Sequence, residues 1–295
     1  MIEISDEVRE ALGGGRAVVA LETTLVAHGF PHGEGLEVAL ASERRVRSAG
    51  AVPATVGVVD GAVRVGLAEG QLARFAEAGP DARKAGPREL AACVARRELG
   101  ATTVGGTLAA CAAAGIRFLG TGGIGGVHRG FAERPDVSAD LGALARTQAM
   151  VVSSGIKSLL DVEATLEVLE TLGVPVAGWR TETLPLFYSA GGGPPVPLRI
   201  DDAVDAAGVA REHWRLGFGG LLLAQAPAES LDVEPLLAEA LAAASAAGIR
   251  GQAVTPFVLS HLHEHSAGAT VRVNKQLIAD NAALAAEVAV AYSGG

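Results

Sequence analysis

The stretch AMVVSSGIKSLLDVEATLEVLETLGVPVAGW (residues 149–179) decides the fold. Residues 149–157 begin with an apolar run that is typical of a buried strand, and residues 159–173 carry apolar side chains at helical spacing. Residues 174–179 are apolar again, which indicates a second strand. A strand, a helix and a strand in this order predict a crossover unit, in which the helix packs on a sheet and the two strands run parallel.

The same alternation extends toward both ends of the chain. Residues 101–115 begin like a strand and end like a helix, so both assignments stay open there. The Gly- and Pro-rich loop 189–197 does not divide the chain, because further sheet-like segments follow it. We therefore predict one α/β domain over residues 1–295, a three-layer α/β/α sandwich around a large, mostly parallel, mixed sheet. The other predicted strands are 17–29, a hairpin at 54–67 with its turn at Asp60-Gly61, 116–126 and 219–227, and the other helices are 5–13, 34–50, 69–78, 87–99, 138–147, 202–216, 233–248, 255–268 and 273–292.

The composition describes a chain with a large apolar core. Hydrophobic residues make up 49% and charged residues 19% of the 295 residues, which excludes a disordered chain. The formal net charge of -9 argues against general binding to nucleic acid or to a membrane surface. The charged start MIEISDEVREAL lacks the apolar segment of a signal peptide, and no apolar run reaches the roughly 18 residues of a membrane span. We therefore expect a cytoplasmic protein, with Cys93 and Cys111 as small buried residues.

Only three of the 24 basic side chains are lysines, namely Lys84, Lys157 and Lys275. Arginine stays charged, so a lysine kept among arginines is a candidate amine nucleophile. Lys157 ends a predicted strand beside small residues, where partial burial favours a neutral amine. We expect Lys84 in a polar loop as a phosphate clamp, and Lys275 on an exposed helix face without a role. A solvated surface charge is the alternative for each.

Four polar clusters follow predicted strands, at the edge where α/β folds bind ligands. They are Glu22 to Thr24, Thr102-Thr103, Thr121 to His128 and Ser153 to Lys157. The glycine-rich loop TGGIGGVHRG (121–130) predicts anion binding by backbone amides, and a tight structural turn is the alternative. Its glycine spacing differs from a dinucleotide fingerprint, which argues against a nicotinamide cofactor.

Two motifs with carboxylates suit acid and metal chemistry. Four apolar residues precede Glu22, so burial should raise its carboxyl pKa and suit a general acid, and pairing with an arginine or with backbone amides is the alternative. DVSAD (136–140) places two carboxylates at a helix start, where one of them with waters could hold Mg²⁺ or Mn²⁺. Capping of the helix by Ser138 or Asp136 is the alternative. The histidines of SHLHEH (260–265) lack a metal-binding spacing and are expected on a solvated helix face.

Together these clusters resemble the pseudouridine-5'-phosphate glycosidases, also called the indigoidine synthase A-like family. The matching stretches follow one another in the family's order from about residue 17 to residue 290. It implies an α/β/α homotrimer that acts on a small-molecule substrate, with Mn²⁺ as its metal and other divalent ions as alternatives. The stretches that carry it are LETTLVAHGFP, AGAVPATVGVVDGAVRVGL, GATTVGGTLAACAAAGIR, TGGIGGVHRG, DVSADLGALART, SSGIKSLLDVEATLEVLETLGVPV, LFYS and VTPFVL.

The resemblance also implies a role for individual residues. Glu22 would be the proton donor, and Lys157 the nucleophile that forms a Schiff base with C1' of the ribose. Asp136 would hold Mn²⁺, partly through water. The residues implied to contact the substrate or its sugar phosphate are Lys84, Thr103, Val104, Thr121, His128, Ser138, Ala139, Asp140 and Asn281.

The implied reaction is the reversible conversion of pseudouridine 5'-phosphate and water into uracil and ribose 5-phosphate. Carbon leaves poorly by the two-carboxylate route of ordinary glycosidases, whereas a lysine offers an iminium path. The alternatives are a related lysine-dependent sugar-phosphate lyase in pigment biosynthesis and a non-catalytic sugar-phosphate sensor. Three positions depart from the family pattern: Gly35 and Asp280 stand where asparagine is usual, and Ala190 where arginine is common. We expect them to bear on the pocket rim and on the accepted base.

Overall fold

The chain alternates between short strands and helices along its length. The computed structural model describes residues 2–31, 33–133 and 135–295. The strands are β1 (Ile2–Ile4), β2 (Val18–Leu21), β3 (Val52–Val59), β4 (Ala62–Val65), β5 (Arg83–Ala85), β6 (Gly100–Thr102), β7 (Phe118–Gly120), β8 (Val127–His128), β9 (Met150–Ser153), β10 (Leu160–Asp161), β11 (Val176–Trp179), β12 (Leu198–Ile200) and β13 (Leu221–Gln225). The α-helices are α1 (Asp6–Gly13), α2 (Thr24–His28), α3 (Glu34–Ser48), α4 (Glu69–Ala78), α5 (Leu90–Arg96), α6 (Val104–Ala114), α7 (Ala139–Arg146), α8 (Val162–Thr171), α9 (Ala203–Arg215), α10 (Glu234–Ala246), α11 (Val254–His265) and α12 (Ala269–Ser293).

Within the described residues, eleven strands form one mixed sheet. Its order is β1-β4-β3-β2-β7-β9-β13-β11-β12, with β6 paired to β3 and β5 paired to β6. All neighbours from β3 to β12 along this order run parallel, whereas β3 is antiparallel to β4 and β6. The stretch that decides the fold gives β9, α8 and β11, and β13 lies between its two strands. The prediction of a large, mostly parallel, mixed sheet is confirmed.

Helices cover both faces of this sheet, because successive side chains of a strand point to opposite faces. On β13, Leu221 and Leu223 pack in one apolar layer with Trp214 of α9 and with residues of α12. Leu222 and Ala224 belong to the opposite layer, to which α7, α8 and α10 contribute. The three-layer arrangement is therefore confirmed.

The sequence predicted one strand over residues 17–29, and this prediction is wrong. The strand β2 ends at Leu21, and the chain then turns into α2, whose first turn closes on the carbonyl oxygen of Thr23. The Thr23 hydroxyl donates to the carbonyl oxygen of Val56 at 2.8 Å and ties this turn to β3. Glu22 is consequently held at the junction of a strand and a helix.

One further helix is shorter than predicted, and the structure decides between the two assignments left open for residues 101–115. The predicted helix 87–99 shortens to α5, which ends where Arg97 adopts a left-handed φ of 56°. The ambiguous residues 101–115 divide into β6 and α6. The helix starts there because the Thr103 side chain accepts a hydrogen bond from the Gly106 amide at 3.2 Å.

The histidine-rich helix α11 is only partly solvated. His263 is buried, and its ring stacks on Phe30 with a centroid distance of 6.1 Å, so the prediction of a solvated face is wrong for this residue. The prediction holds for His265, which is exposed. Across the described ranges, no helix combines the length and the apolar character that crossing a bilayer requires.

Candidate active site

A cavity of about 270 Å³ gathers the polar clusters that follow the strands. Its lining draws on the clusters that follow the parallel strands β2, β7 and β9, as the edge rule for α/β sheets predicts. The cluster after β6 also contributes, although β6 runs antiparallel to β3. Larger grooves of about 550 and 510 Å³ lie elsewhere, and neither is lined by a lysine among the described residues. The predicted residues in the 270 Å³ cavity are Glu22, Lys84, Thr103, His128, Asp136, Ser138, Ala139, Asp140 and Lys157.

Glu22 is a buried acid at the end of β2. Its exposed fraction is 4%, and its Oε1 accepts a hydrogen bond from the Thr121 hydroxyl at 2.5 Å. Burial raises the pKa of Glu22 to about 7, against the opposing pull of the Lys157 charge and of the Thr121 hydrogen bond. A carboxyl group with this pKa can both give and take a proton near neutral pH, which suits general acid–base catalysis.

Lys157 lies on a turn just after β9. Gly155 has a φ of 82° there, and a Cβ at this position would approach the Pro185 carbonyl oxygen to 2.3 Å, so the turn requires glycine. The Lys157 amide donates to the carbonyl oxygen of Ile124 at 3.2 Å. The backbone thus fixes Lys157 against the glycine-rich loop, with its side chain lining the cavity.

Lys84 lies on the short strand β5, not in the polar loop that the sequence predicted. Pairing with β6 places it opposite Ala101. Burial lowers the pKa of the Lys84 amine to about 8, and the charge of Lys157 adds to this effect. The charges of Asp140, Glu22 and Asp136 oppose it. Two lysines and three carboxylates therefore interact around one small cavity.

Asp140 joins the start of α6 to the glycine-rich loop. Its Oδ1 accepts a hydrogen bond from the Gly105 amide at 2.8 Å, and its Oδ2 accepts one from the Gly125 amide at 3.0 Å. Ser138 caps α7 by accepting from the Asp140 amide at 3.2 Å. A Cβ on Gly125 would lie 2.3 Å from the Ser138 hydroxyl oxygen, which explains a glycine at this position.

The glycine-rich loop is braced largely by internal hydrogen bonds. The Ile124 amide donates to the carbonyl oxygen of Gly155, the Val127 amide to the Thr165 hydroxyl, and the His128 amide to the carbonyl oxygen of Asp136. These amides and that of Gly125 are already paired within the protein. The loop is therefore a rigid wall of the cavity, and anion binding by its backbone stays a prediction.

Asp136 and His128 offer oxygen and nitrogen ligands at the cavity wall. The His128 Nε2 lies 4.0 Å from the Asp136 Oδ2, and burial lowers the pKa of His128, which favours a neutral imidazole. No cluster of three or more His, Cys, Asp or Glu side chains with metal-binding geometry occurs in the described part of the chain. A divalent ion that keeps most of its waters fits such a sparse donor set.

Three predicted binding residues lie behind the cavity wall. Val104 is the first residue of α6 and is 1% exposed, and Thr121 and Asn281 are buried beneath Glu22 and the glycine-rich loop. The Asn281 Nδ2 donates to the Thr121 carbonyl oxygen at 2.8 Å and to the Ser154 hydroxyl at 3.1 Å. Their contact with substrate stays a prediction.

The three positions that depart from the family pattern also lie outside the lining. Asp280 faces α3, where it accepts a hydrogen bond from Arg45 at 2.8 Å. A Cβ on Gly35 would lie 2.0 Å from the Val26 carbonyl oxygen, so glycine permits the close approach of α3 to α2. The Ala190 amide donates to Ser230 at 2.9 Å. An effect on the accepted base stays a prediction for all three.

The sequence did not single out several residues of the lining. Arg88 and Glu89 follow Lys84 closely in the chain, which is a signal that could have found them, and they pair with each other at 2.5 Å. Gly251 and Thr255 come from the far end of the chain. Thr255 lies in the stretch VTPFVL, which carries the family resemblance, but nothing in that stretch marked it as a site residue. Thr24, Gly125 and Val137 fall within predicted clusters without a role of their own, and the lining residues outside every predicted cluster are Gly86, Arg88, Glu89, Leu160, Gly251 and Thr255.

A lysine and a protonatable glutamate in one cavity, at the edge of a three-layer sheet, define an α/β protein with an amine–acid site. Residues 7–291 match the family described as indigoidine synthase A like protein, and the chain belongs to this family. It is 48% identical to a pseudouridine-5'-phosphate glycosidase of Herpetosiphon aurantiacus, over 98% of this chain and 97% of that protein. It is 46% identical to the pseudouridine-5'-phosphate glycosidase of Myxococcus xanthus, over 99% and 98% of the two chains.

Two solved structures share the fold. The prealnumycin C-glycosynthase AlnA, in complex with ribulose 5-phosphate, superimposes with a TM-score of 0.90 at 40% identity, over 100% of this chain and 97% of AlnA. An indigoidine synthase A-like protein from Thermotoga maritima superimposes with a TM-score of 0.88 at 36% identity, over 98% and 96% of the two chains. The predicted fold class and family are confirmed.

Proposed function

We propose that the chain is a pseudouridine-5'-phosphate glycosidase that cleaves the bond between C1' of the ribose and C5 of uracil. The products are uracil and ribose 5-phosphate, and the reaction is reversible. The observation that carries this proposal is the meeting of Lys157 and Glu22 in one cavity of a family member. The names of the relatives support the same substrate.

The first step opens the ribose ring. The amine of Lys157 forms a bond to C1' while the bond between C1' and O4' breaks, and Glu22 gives its proton to O4'. The new ammonium then returns a proton to the Glu22 carboxylate. Burial supports this cycle, because it holds the pKa of Glu22 at about 7, between those of a free carboxyl and a free amine.

The second step breaks the carbon–carbon bond. The lone pair of the Lys157 nitrogen forms a double bond to C1', the electrons of the bond to uracil pass to C5, and C5 takes the proton from Glu22. Water adds to the resulting iminium, which releases ribose 5-phosphate and the free amine, and Glu22 regains a proton. The iminium gives the carbon leaving group a lower-energy path than an oxocarbenium ion.

The other lining residues bind and orient the substrate in this proposal. Lys84 pairs with the phosphate, and Thr103, His128 and Ser138 to Asp140 surround the sugar phosphate. Val104, Thr121 and Asn281 lie behind this wall. Asp136 would hold Mn²⁺, and the bound ion would supply positive charge to the substrate. We also propose a homotrimer, which the family resemblance supports and which light scattering tests. A cytoplasmic location is proposed from the charged start of the chain.

The test is uracil release from pseudouridine 5'-phosphate, with and without Mn²⁺, in the wild type and in Lys157→Ala. We expect metal-stimulated release that the substitution abolishes, and a borohydride-trapped adduct on the peptide that contains Lys157. Lys275→Ala is the matched control, because Lys275 lies outside the cavity and pairs with Glu34 and Glu37. Ribose 5-phosphate binding without any release would instead indicate a sensor, and turnover without an adduct would contradict the amine mechanism.

The formation of a C-glycoside from an acceptor other than uracil is the second candidate. The observation in its favour is the C-glycosynthase AlnA, which is 40% identical in sequence and has the same fold over 100% of this chain. Lys157 and Glu22 would be the nucleophile and the acid of this reaction too. This candidate corresponds to the related enzyme of pigment biosynthesis that the sequence left as an alternative. Incubation of the protein with ribose 5-phosphate and either uracil or an aromatic acceptor separates the two, because a glycosidase should accept uracil only.

A further inference from the structure

Thr121 connects Glu22 to the interior of the protein. Its hydroxyl donates to Oε1 of Glu22 at 2.5 Å, and the side chain of Thr121 is fully buried. It is not among the residues that line the cavity, whereas Glu22 is. A residue in this place contacts the acid from behind and leaves the cavity side of the carboxyl group to the substrate.

The backbone of Thr121 is fixed on both sides. Its amide donates to the carbonyl oxygen of Val152 at 3.0 Å, and its own carbonyl oxygen accepts the Asn281 Nδ2 at 2.8 Å. Asn281 also donates to the Ser154 hydroxyl at 3.1 Å, so α12 braces the ends of β7 and β9 together. The hydroxyl of Thr121 is thus aimed at Glu22 before substrate arrives, as precise catalysis requires of supporting groups.

We propose that Thr121 is a positioning residue for the general acid, with Asn281 holding Thr121 in place, and that neither residue contacts the substrate. The Thr121 hydroxyl occupies Oε1 of Glu22 and so directs Oε2 to the reacting sugar. This inference rests on the proposed function. For these two residues it replaces the contact with the sugar phosphate that the family resemblance implies.

The charged groups that act on Glu22 come from three elements. Lys157 after β9 and Lys84 on β5 favour the carboxylate, whereas Asp140 on α7 disfavours it. The Thr121 hydroxyl also stabilises the carboxylate form. Removal of this hydroxyl should therefore raise the pKa of Glu22 further above 7, in addition to loosening its orientation.

The kinetic test compares Thr121→Val, which has nearly the same shape without the hydroxyl, with Thr121→Ser, which keeps it. We expect kcat to fall about 10- to 100-fold in Thr121→Val, with KM changed less than about threefold, because only the acid is misplaced. Thr121→Ser should restore most of kcat. Thr107→Val is the matched control, because Thr107 is equally buried but donates to Thr102. A rise in KM without a fall in kcat would overturn the proposal, since it would indicate substrate binding.

A second readout does not depend on turnover. Carboxyl carbons labelled with ¹³C in glutamate report the titration of Glu22, assigned by the signal lost in Glu22→Gln. The proposal requires a higher pKa of Glu22 in Thr121→Val than in the wild type and in Thr121→Ser. An unchanged pKa would overturn it. If the wild type released no uracil, the proposed function would fail, while this titration would still decide the role of Thr121.

Discussion

Arg129 donates a hydrogen bond from Nη2 to the carbonyl oxygen of Ser158 at 3.0 Å, and so holds the residue that follows Lys157. Its Nε reaches the carbonyl oxygen of Leu160 at 3.4 Å, and its Nη1 lies 3.1 Å from Oε1 of Glu234 on α10. One guanidinium thus joins the glycine-rich loop to the Lys157 turn and to α10. The planar fork of arginine makes these contacts together, which a lysine ammonium cannot reproduce.

Arg129→Gln should therefore loosen the Lys157 turn. We expect kcat for uracil release to fall about tenfold, because a nucleophile displaced by a fraction of an ångström attacks less often. KM should change less, since Arg129 does not line the cavity. Arg74→Gln is the control, because it breaks a similar two-bond pair with Asp60 far from the site. Equal kinetics in the two variants would contradict this role.

Asp140→Asn should destabilise the protein. Both carboxylate oxygens of Asp140 accept backbone amides, whereas asparagine has one acceptor and would turn its NH₂ group toward an amide N–H. A buried unpaired donor costs about 1–3 kcal/mol, so urea unfolding should show a loss of that size. Asp161→Asn is the matched control, because Asp161 accepts a single amide as the cap of α8, a role that asparagine fills equally well. Similar losses in both variants would contradict the prediction.

The sheet was predictable because its signals are local. The apolar runs of β9 and β11, separated by helical spacing, needed no knowledge of the rest of the chain. Residues 17–29 show where such signals fail: apolar residues resume at Leu25 and Val26 after the polar residues 22–24, and the close approach of α3 at Gly35 to Val26 accompanies a helix there instead of a strand. Lys84 was misplaced for a similar reason, since a strand of three residues exists through its pairing with β6.

The candidate site was predictable to the extent that it follows the edge rule for parallel sheets. Glu22 and Lys157 meet because each follows a parallel strand of the same sheet, β2 or β9. The rule does not cover Thr103, because β6 runs antiparallel to β3 and reaches the cavity from the opposite direction. Thr255 was not predictable, because α11 reaches the cavity through tertiary packing alone. The sequence could not predict that Thr121 points toward Glu22 in the interior, because a residue after a strand can face either a ligand or a neighbouring side chain.

Asp136→Asn should weaken binding of Mn²⁺ tenfold or more. A neutral amide oxygen is a poorer ligand than a carboxylate for a hard cation, and the described part of the chain offers few other donors at this place. The electron paramagnetic resonance signal of free aqueous Mn²⁺ measures binding without turnover. Asp201→Asn, at an exposed position outside the cavity, is the control. Undiminished binding in Asp136→Asn would place the ion elsewhere.

Glu22→Gln should stabilise the fold in a pH-dependent way. The pKa of Glu22 is about 7 in the folded protein and 4.5 when unperturbed, so the folded state holds this proton more tightly. As pH rises from about 4.5 to 7, the unfolded chain loses the proton first, and the wild type loses stability. Glutamine does not ionise, so the stability of Glu22→Gln should not fall over this pH range for this reason.

The difference between Glu22→Gln and the wild type should therefore be about 1 kcal/mol at pH 5 and grow to about 3 kcal/mol at pH 8, minus any cost of a weaker contact with Thr121. Urea unfolding at the two pH values measures it. Glu170→Gln, at an exposed position on α8, controls for the loss of a glutamate charge in general. A difference that is the same at pH 5 and pH 8 would mean that Glu22 ionises as freely in the folded protein as in the unfolded chain, and it could not then keep a proton for O4' near neutral pH.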